Sequence, residues 1–316
     1  MNLKAFIGKF VPKLIKMKLN GNYSIWKISR IIAQHLPNII CVDVGASYYP
    51  HHNWLVFLNA KKVNWLAVEP IKDNLTYINK WKWPCKIFTC TFGLSRKGGN
   101  QNLFVTNVDS GSSLLFPEIN NSMEHRISDK TYYFPVTKKK IMTLTLKQAL
   151  KSVSIKDVPI FIKLDTQGTE LSILQGSNQI FDTYSVVGIE SETTMLAQPV
   201  YKGSGKFWQM CKYLESKGFE LLHMKLNYAN HNSVRFNRKV NSYLNECDAT
   251  FALRRDIVAK LSVNHRIALL AFYLTNLLYH EALSLLTEDK AINSALSKNG
   301  CNTIELSSLL LKYANK

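Results

Sequence analysis

Residues 39–45 read IICVDVG, and residues 63–70 read VNWLAVEP. Each is a short apolar run closed by an acid, Asp43 in the first and Glu69 in the second. Uninterrupted runs of this kind predict strands buried on both faces, as in a parallel sheet. The interval between them has room for one helix. Gly45, directly after the first acid, lets backbone approach a ligand closely. An acid at the end of the neighbouring strand can accept hydrogen bonds from two ribose hydroxyls. The ordered pair therefore points to a nucleoside-cofactor site at the carboxyl ends of two adjacent strands.

The pattern continues outward. Strands are expected at 39–44, 63–68, 86–90, 160–165, 185–190, 219–224 and 247–253, with helices at about 72–82, 143–152, 168–180 and 204–217. Alternation of this kind predicts an α/β doubly wound sheet with helices on both faces. Residues 95–140 break it with a turn (SRKGGNQ), a short strand (NLFVT) and a glycine-serine loop (DSGSS). A long insertion between sheet strands is often a functional loop or lid.

Ligands of open α/β sheets sit beyond the carboxyl ends of the strands. FIKLDTQGTELSILQG, residues 161–176, ends a strand at Asp165, turns at Gly168 and enters an amphipathic helix. Asp165 is therefore expected to face the same crevice as Asp43 and Glu69. Glu170 suits the positive end of that helix, so helix-start stabilisation competes with a catalytic role. Glu190 and Glu192, in VVGIESETT, alternate on one strand and share a face, as hydroxyl ligands or proton acceptors would. Gly93 and Leu94 follow the third strand, where close approach and apolar contact suit a base ring. His51 and His52 sit in a polar loop, where solvation is the commoner fate.

The chain has 316 residues, 46% of them apolar, and a formal net charge of +18. Such a balance calls for an anionic partner: nucleic acid, lipid or substrate. Lys4, Lys9, Lys13, Lys16, Lys18, Lys27 and Arg30 lie in the first 42 residues, which hold no acid. Residues 1–20 have roughly helical apolar spacing between the lysines, expected either to pack on the domain or to touch an anionic membrane peripherally. The longest apolar run, Ile267 to Tyr279, is broken by Thr275 and Asn276 and is shorter than the ~20 residues a spanning helix needs. No secretory signal is read, and six scattered cysteines without a CxxC pair point to a reducing cytoplasm rather than a disulfide framework or a zinc site. Three parts are expected: a basic helical segment at 1–38, a central domain at 39–255 and a C-terminal helical appendage at 256–316.

Taken in order, CVDVGAS, AVEP with Asn74 and Leu75, FGLS, SGSSL, TLTL, IKLDTQGTELSILQG, GIESET with Val200 and Tyr201, GFELL and ECDATF resemble the FkbM family of methyltransferases over residues 39–254. The resemblance implies a class I methyltransferase (Rossmann-like) fold, with a seven-stranded, mostly parallel sheet, and S-adenosylmethionine as cofactor. It implies that Asp43, Gly45, Ala46 and Ser47 flank the methionine part. Glu69 would hold the ribose hydroxyls near Pro70 and Asn74, and Gly93 and Leu94 would border the adenine. It sets Asp165 beside the transferable methyl and Ser112 and Ser113 on a loop above. Asp165, Glu190 and Glu192 are the candidate catalytic residues, and no metal ligand is assigned. The sequence departs from the family at Ser47 and Tyr49, where asparagine and a second glycine are usual.

The implied reaction is O-methylation of a sugar, glycan or related small molecule in the cytoplasm. Two rivals stand beside it. The net charge admits an RNA methyltransferase, although no RNA-binding motif is present and nucleic acid is not the expected partner. The altered glycine motif admits an inactive membrane-surface scaffold. The sequence does not indicate an oligomeric state.

Overall fold

A computed structural model describes residues 23–58, 62–80, 84–118, 130–153, 157–228 and 244–314. The basic stretch 1–20, and with it the expected membrane contact, lies outside the described residues.

Helix α1 (Tyr23–Ala33) leads into β1 (Ile39–Val44), α2 (Leu55–Leu58), β2 (Val63–Val68), α3 (Lys72–Lys80) and β3 (Ile87–Cys90). Strands β4 (Gly93–Leu94), β5 (Gly99–Thr106) and β6 (Pro135–Leu144) follow. Then come α4 (Leu146–Lys151), β7 (Ile160–Leu164), α5 (Glu170–Gly176), α6 (Ile180–Thr183) and β8 (Val186–Thr194). The chain continues through α7 (Phe207–Glu215), β9 (Phe219–Tyr228) and β10 (Leu244–Leu253), and closes with α8 (Arg255–Val258), α9 (Val263–Thr275), α10 (Tyr279–Glu288), α11 (Lys290–Lys298) and α12 (Thr303–Ala314).

Seven strands form one sheet in the order β3-β2-β1-β7-β8-β10-β9. The sheet is mixed. The pairings from β3 to β8 are parallel, while β10 runs antiparallel to both β8 and β9. β1 lies at its centre and shows why the apolar runs are continuous. Ile40, Val42 and Val44 belong to one buried layer with α4, α5 and α7, whereas Ile39 and Cys41 belong to the other with α1 and the C-terminal helices. A strand covered on both sides needs apolar residues at every position.

Two expectations change. The C-terminal helices are not an appendage. α9 is buried on all sides from Ile267 to Thr275, and Phe272 meets Phe161 of β7 with ring centroids 5.2 Å apart. The reason lies in α9 itself, which is apolar around its whole circumference and so must be enclosed. The 95–140 insertion, in turn, is more than a loop. It holds a second, three-stranded sheet in the order β4-β6-β5.

All six cysteines are free. Among the described residues, no helix is long and apolar enough to cross a membrane.

Candidate active site

The carboxyl ends of β1, β2 and β7 are laced together beyond the last sheet residues. The amides of Gly45 and Ala46 both donate to the Val68 carbonyl, at 3.0 and 3.2 Å, and the Asp165 amide donates to the Val44 carbonyl at 3.0 Å. Gly45 has φ +80°, and a Cβ there would lie 1.9 Å from the Asp165 carbonyl oxygen. Glycine is required because two strand ends touch at this point.

Ser47 stands where the family pattern differs, and it adopts φ +51°. Its amide donates to Glu69 Oε2 at 2.9 Å, and the Ile71 amide donates to Glu69 Oε1 at 2.8 Å. Glu69 is buried, and burial pushes its carboxyl up from 4.5 to about 7 against these donors.

Two cavities meet here. The smaller, of about 100 Å³, is walled by Glu69, Pro70, Asn74, Gly93, Leu94 and Leu103, with Asp109, Ser112 and Ser113 across from them. The Asn74 Oδ1 atom is buried without a hydrogen-bond partner among the described residues. The larger, of about 430 Å³, is walled by Ala46, Tyr49, His51, Asn53, Glu190, Glu192, His223, Lys225 and Asp248 among others. Gly45, Ser47 and Asp165 line both.

Every expected site residue lies in one of these walls except Asp43. Asp43 is buried behind the loop. Its Oδ2 accepts the His51 amide at 3.0 Å, and its Oδ1 lies 3.7 Å from Lys163 Nζ. From there Asp43 braces the loop and a lysine. Burial raises its pKa, with Lys163 and His51 opposing.

Lys163, in IFIKL, is the site residue that the apolar pattern hid. Its Nζ lies 3.0 Å from Asp165 Oδ2, and Gln167 Nε2 donates to Asp165 Oδ1 at 2.9 Å. Burial disfavours the Asp165 charge, but the ammonium and the amide outweigh it and hold the carboxyl below its ordinary range. Lys163 is likewise held above the ordinary lysine range by Asp165 and Asp43, despite burial. A lone cation inside an otherwise apolar strand signals buried acids as partners.

Glu192 accepts the other hydrogen bond from Gln167 Nε2, at 2.6 Å. Burial, then the charges of Asp165 and Glu246, raise its pKa well above 4.5. Glu190 Oε2 lies 2.7 Å from His51 Nε2 and 3.4 Å from Asn53 Nδ2. Both glutamates sit within β8, which runs past the end of β7 and forms the floor of the larger cavity. The side chain of His52 lies outside the described ones.

Glu170 has a structural assignment. Its Oε1 accepts from the Thr166 amide at 2.7 Å, the Thr166 hydroxyl at 3.0 Å and the Gly168 amide at 3.0 Å. Ser113 ties the loop above the site to this turn, donating to the Gln167 carbonyl at 2.8 Å. Among the described residues no group of three or more His, Cys, Asp or Glu is arranged to hold a metal ion.

The smaller cavity carries the kinds of groups that a nucleoside uses. It offers one buried carboxylate for hydroxyl donors, an unsatisfied amide oxygen, and apolar walls from Leu94 and Leu103 for a ring. No curated protein matches the chain. The family description "Methyltransferase FkbM domain" matches residues 43–221, the segment that carries Glu69, Asp165, Glu190 and the junction of the two cavities. That match spans more than half of the sequence, and the chain belongs to the FkbM methyltransferase family.

Proposed function

We propose that this protein is a cytoplasmic S-adenosylmethionine-dependent O-methyltransferase acting on a hydroxyl of a sugar, glycan or related small molecule, with a class I methyltransferase fold. One observation carries the reading: a smaller cavity floored by Glu69 and a larger polar cavity meet at Gly45, Ser47 and Asp165. A group transfer needs two ligands that touch at one point, and this arrangement provides it.

S-adenosylmethionine supplies an electrophilic methyl group on a sulfonium. Glu69 would accept its ribose hydroxyls, with Asn74 and Pro70 beside them. Gly93 and Leu94 would flank the base, and Gly45, Ala46 and Ser47 the amino-acid end. Asp165, kept ionised by Lys163, presents a fixed negative charge where the cavities join. It suits orientation and charge stabilisation there. As a proton acceptor it is weak, because its carboxyl is held low. Glu192 is shifted the opposite way, its carboxyl raised by burial and by the charges of Asp165 and Glu246.

His51 with Glu190 fits the role better. The carboxylate 2.7 Å from Nε2 favours the tautomer with a proton on that nitrogen and stabilises the imidazolium formed when the other nitrogen accepts one. As the methyl–oxygen bond forms, the acceptor's hydroxyl proton passes to His51. Carboxylates, histidines and Tyr49 around the larger cavity suit a hydroxyl-rich ring.

Calorimetry with S-adenosylmethionine tests the first half of the reading, and absence of binding at millimolar cofactor overturns it. The second half is tested by mass gain of one methyl across a panel of glycans and nucleotide sugars. His51→Asn and Glu190→Gln are expected to lower kcat while leaving cofactor binding in place.

A further inference from the structure

The three-stranded sheet turns one face inward and one outward. In the β5–β6 pairing, Phe104 lies opposite Lys138, Asn102 opposite Lys140 and Asn100 opposite Met142. Residues directly opposite share a face, and the alternate positions point the other way. Those alternate positions are the inner ones. Leu103 is buried against the smaller cavity, and a Cβ on Gly93 would lie 3.0 Å from the Ile141 side chain.

The outer face combines apolar groups with positive charge. Phe116 meets Phe104 edge-on with centroids 5.3 Å apart, and Lys138 Nζ sits 5.6 Å from the Phe104 ring. Phe116 is 48% exposed, Val136 59% and Met142 48%, and Phe134, just before β6, is 63% exposed. Half of the large exposed hydrophobics among the described residues come from residues 92–142. Neither β5 nor β6 contains an acid, while Lys138 and Lys140 are exposed on this face. Among the described residues the flanking acids are engaged elsewhere: Asp109 lines the smaller cavity, and Glu118 pairs with Lys202 at 2.9 Å.

Large apolar side chains left in water beside unopposed lysines mark an interaction surface. We infer that this face docks the protein on an anionic lipid surface. The apolar side chains enter the headgroup boundary, and Lys138 and Lys140 meet the lipid phosphates. Single-stranded nucleic acid is the poorer match: bases could stack on Phe116 and Phe134, but Val136 and Met142 would stay in water, whereas a headgroup boundary takes up the aromatic and the aliphatic side chains together. The docking face and the smaller cavity are the two sides of the same strands, so the docked protein holds that cavity's wall directly above the lipid.

The test is co-sedimentation of the full chain with phosphatidylcholine vesicles, with and without phosphatidylglycerol. Wild type is expected to bind only the anionic vesicles. Lys138→Gln/Lys140→Gln weakens binding about 25-fold, from about five-fold per lysine. Val136→Ser/Met142→Ser weakens it as well. All four side chains are exposed, so both variants are expected to melt as wild type does. The proposal is overturned if wild type ignores anionic vesicles or if both variants bind them as wild type does. A variant that loses only an oligouridylate probe overturns it equally. Titration with S-adenosylmethionine reads the cofactor site separately, so failure here and failure of the methyltransferase reading are distinguishable.

Discussion

Replacing Glu69 with glutamine removes the buried carboxylate from the smaller cavity's wall and isolates its contribution. In the folded protein burial raises the Glu69 carboxyl from 4.5 to about 7. Between those pH values the folded chain holds a proton that the unfolded chain has released. Stability conferred at this position therefore falls as pH rises from about 4.5 to about 7, and is level outside that window. The span of about 2.5 pKa units corresponds to about 3 kcal/mol. Cofactor binding has the opposite slope, because ribose hydroxyls need an ionised acceptor. At pH 5.5 only a small fraction of Glu69 is ionised, and affinity is expected to be about 30-fold weaker than at the alkaline plateau. Other acids titrate nearby, Glu170 to about 6 and Glu246 to about 7, so the informative quantity is the difference between wild type and Glu69→Gln. Thermal melts and calorimetric titrations from pH 5 to 8.5 measure it. A wild-type-minus-variant difference that is flat with pH in both assays refutes the assignment.

Gly45→Ala places a Cβ 1.9 Å from the Asp165 carbonyl in a left-handed backbone. The backbone strain alone costs about 1–2 kcal/mol, and the displaced strand end should also abolish cofactor binding; a wild-type melt would show that the junction is looser than described. Lys163→Met leaves buried Asp43 and the cavity-lining Asp165 without their cation, which is expected to destabilise by about 1–3 kcal/mol at neutral pH in chemical denaturation. An unchanged midpoint would remove Lys163 from the site's support. Phe272→Ala opens a hole between α9 and β7 and should cost about 3–5 kcal/mol; a loss below 1 kcal/mol would mean that the C-terminal helices are not part of the core.

The large sheet was legible because its strands are covered on both faces, so each is an unbroken apolar run bounded by polar residues. The small sheet was not, because β5 and β6 bury little of their length and carry Asn100, Gln101, Asn102 and three lysines where a core strand would be apolar. Acids at strand ends were legible as a group, since topology alone brings β1, β2 and β7 to one rim. Which way each side chain turns was not. Asp43 and Glu69 look alike in sequence, yet one braces the His51 amide and the other lines a cavity. Lys163 and His51 were obscured for opposite reasons, one hidden in an apolar run and the other in a polar loop where histidines are commonly solvated. α9 was visible as an apolar helix. Its place against Gly188 and Phe161 depends on a small residue in β8, whose Cβ would lie 2.5 Å from the Phe272 ring.

The LDTQGTE segment shows why the bland and the functional reading of an acid can both hold within a few residues. Glu170 never reaches the junction of the cavities. It binds the Thr166 and Gly168 amides and so fixes the turn that carries Gln167 at φ +58°. That strained residue would relax without the clamp, because nothing intrinsic to glutamine favours the left-handed region. Held there, its side-chain amide donates to Asp165 and Glu192 at once, at 2.9 and 2.6 Å. The two carboxyl groups it joins are pushed in opposite directions: Lys163 and this amide hold Asp165 low against burial, while burial and the charges of Asp165 and Glu246 raise Glu192. The ordinary work of closing a helix N-terminus therefore positions the amide that bridges two acids of the site. Loss of Glu170 should accordingly disturb chemistry through Gln167 and not through any contact with the ligands.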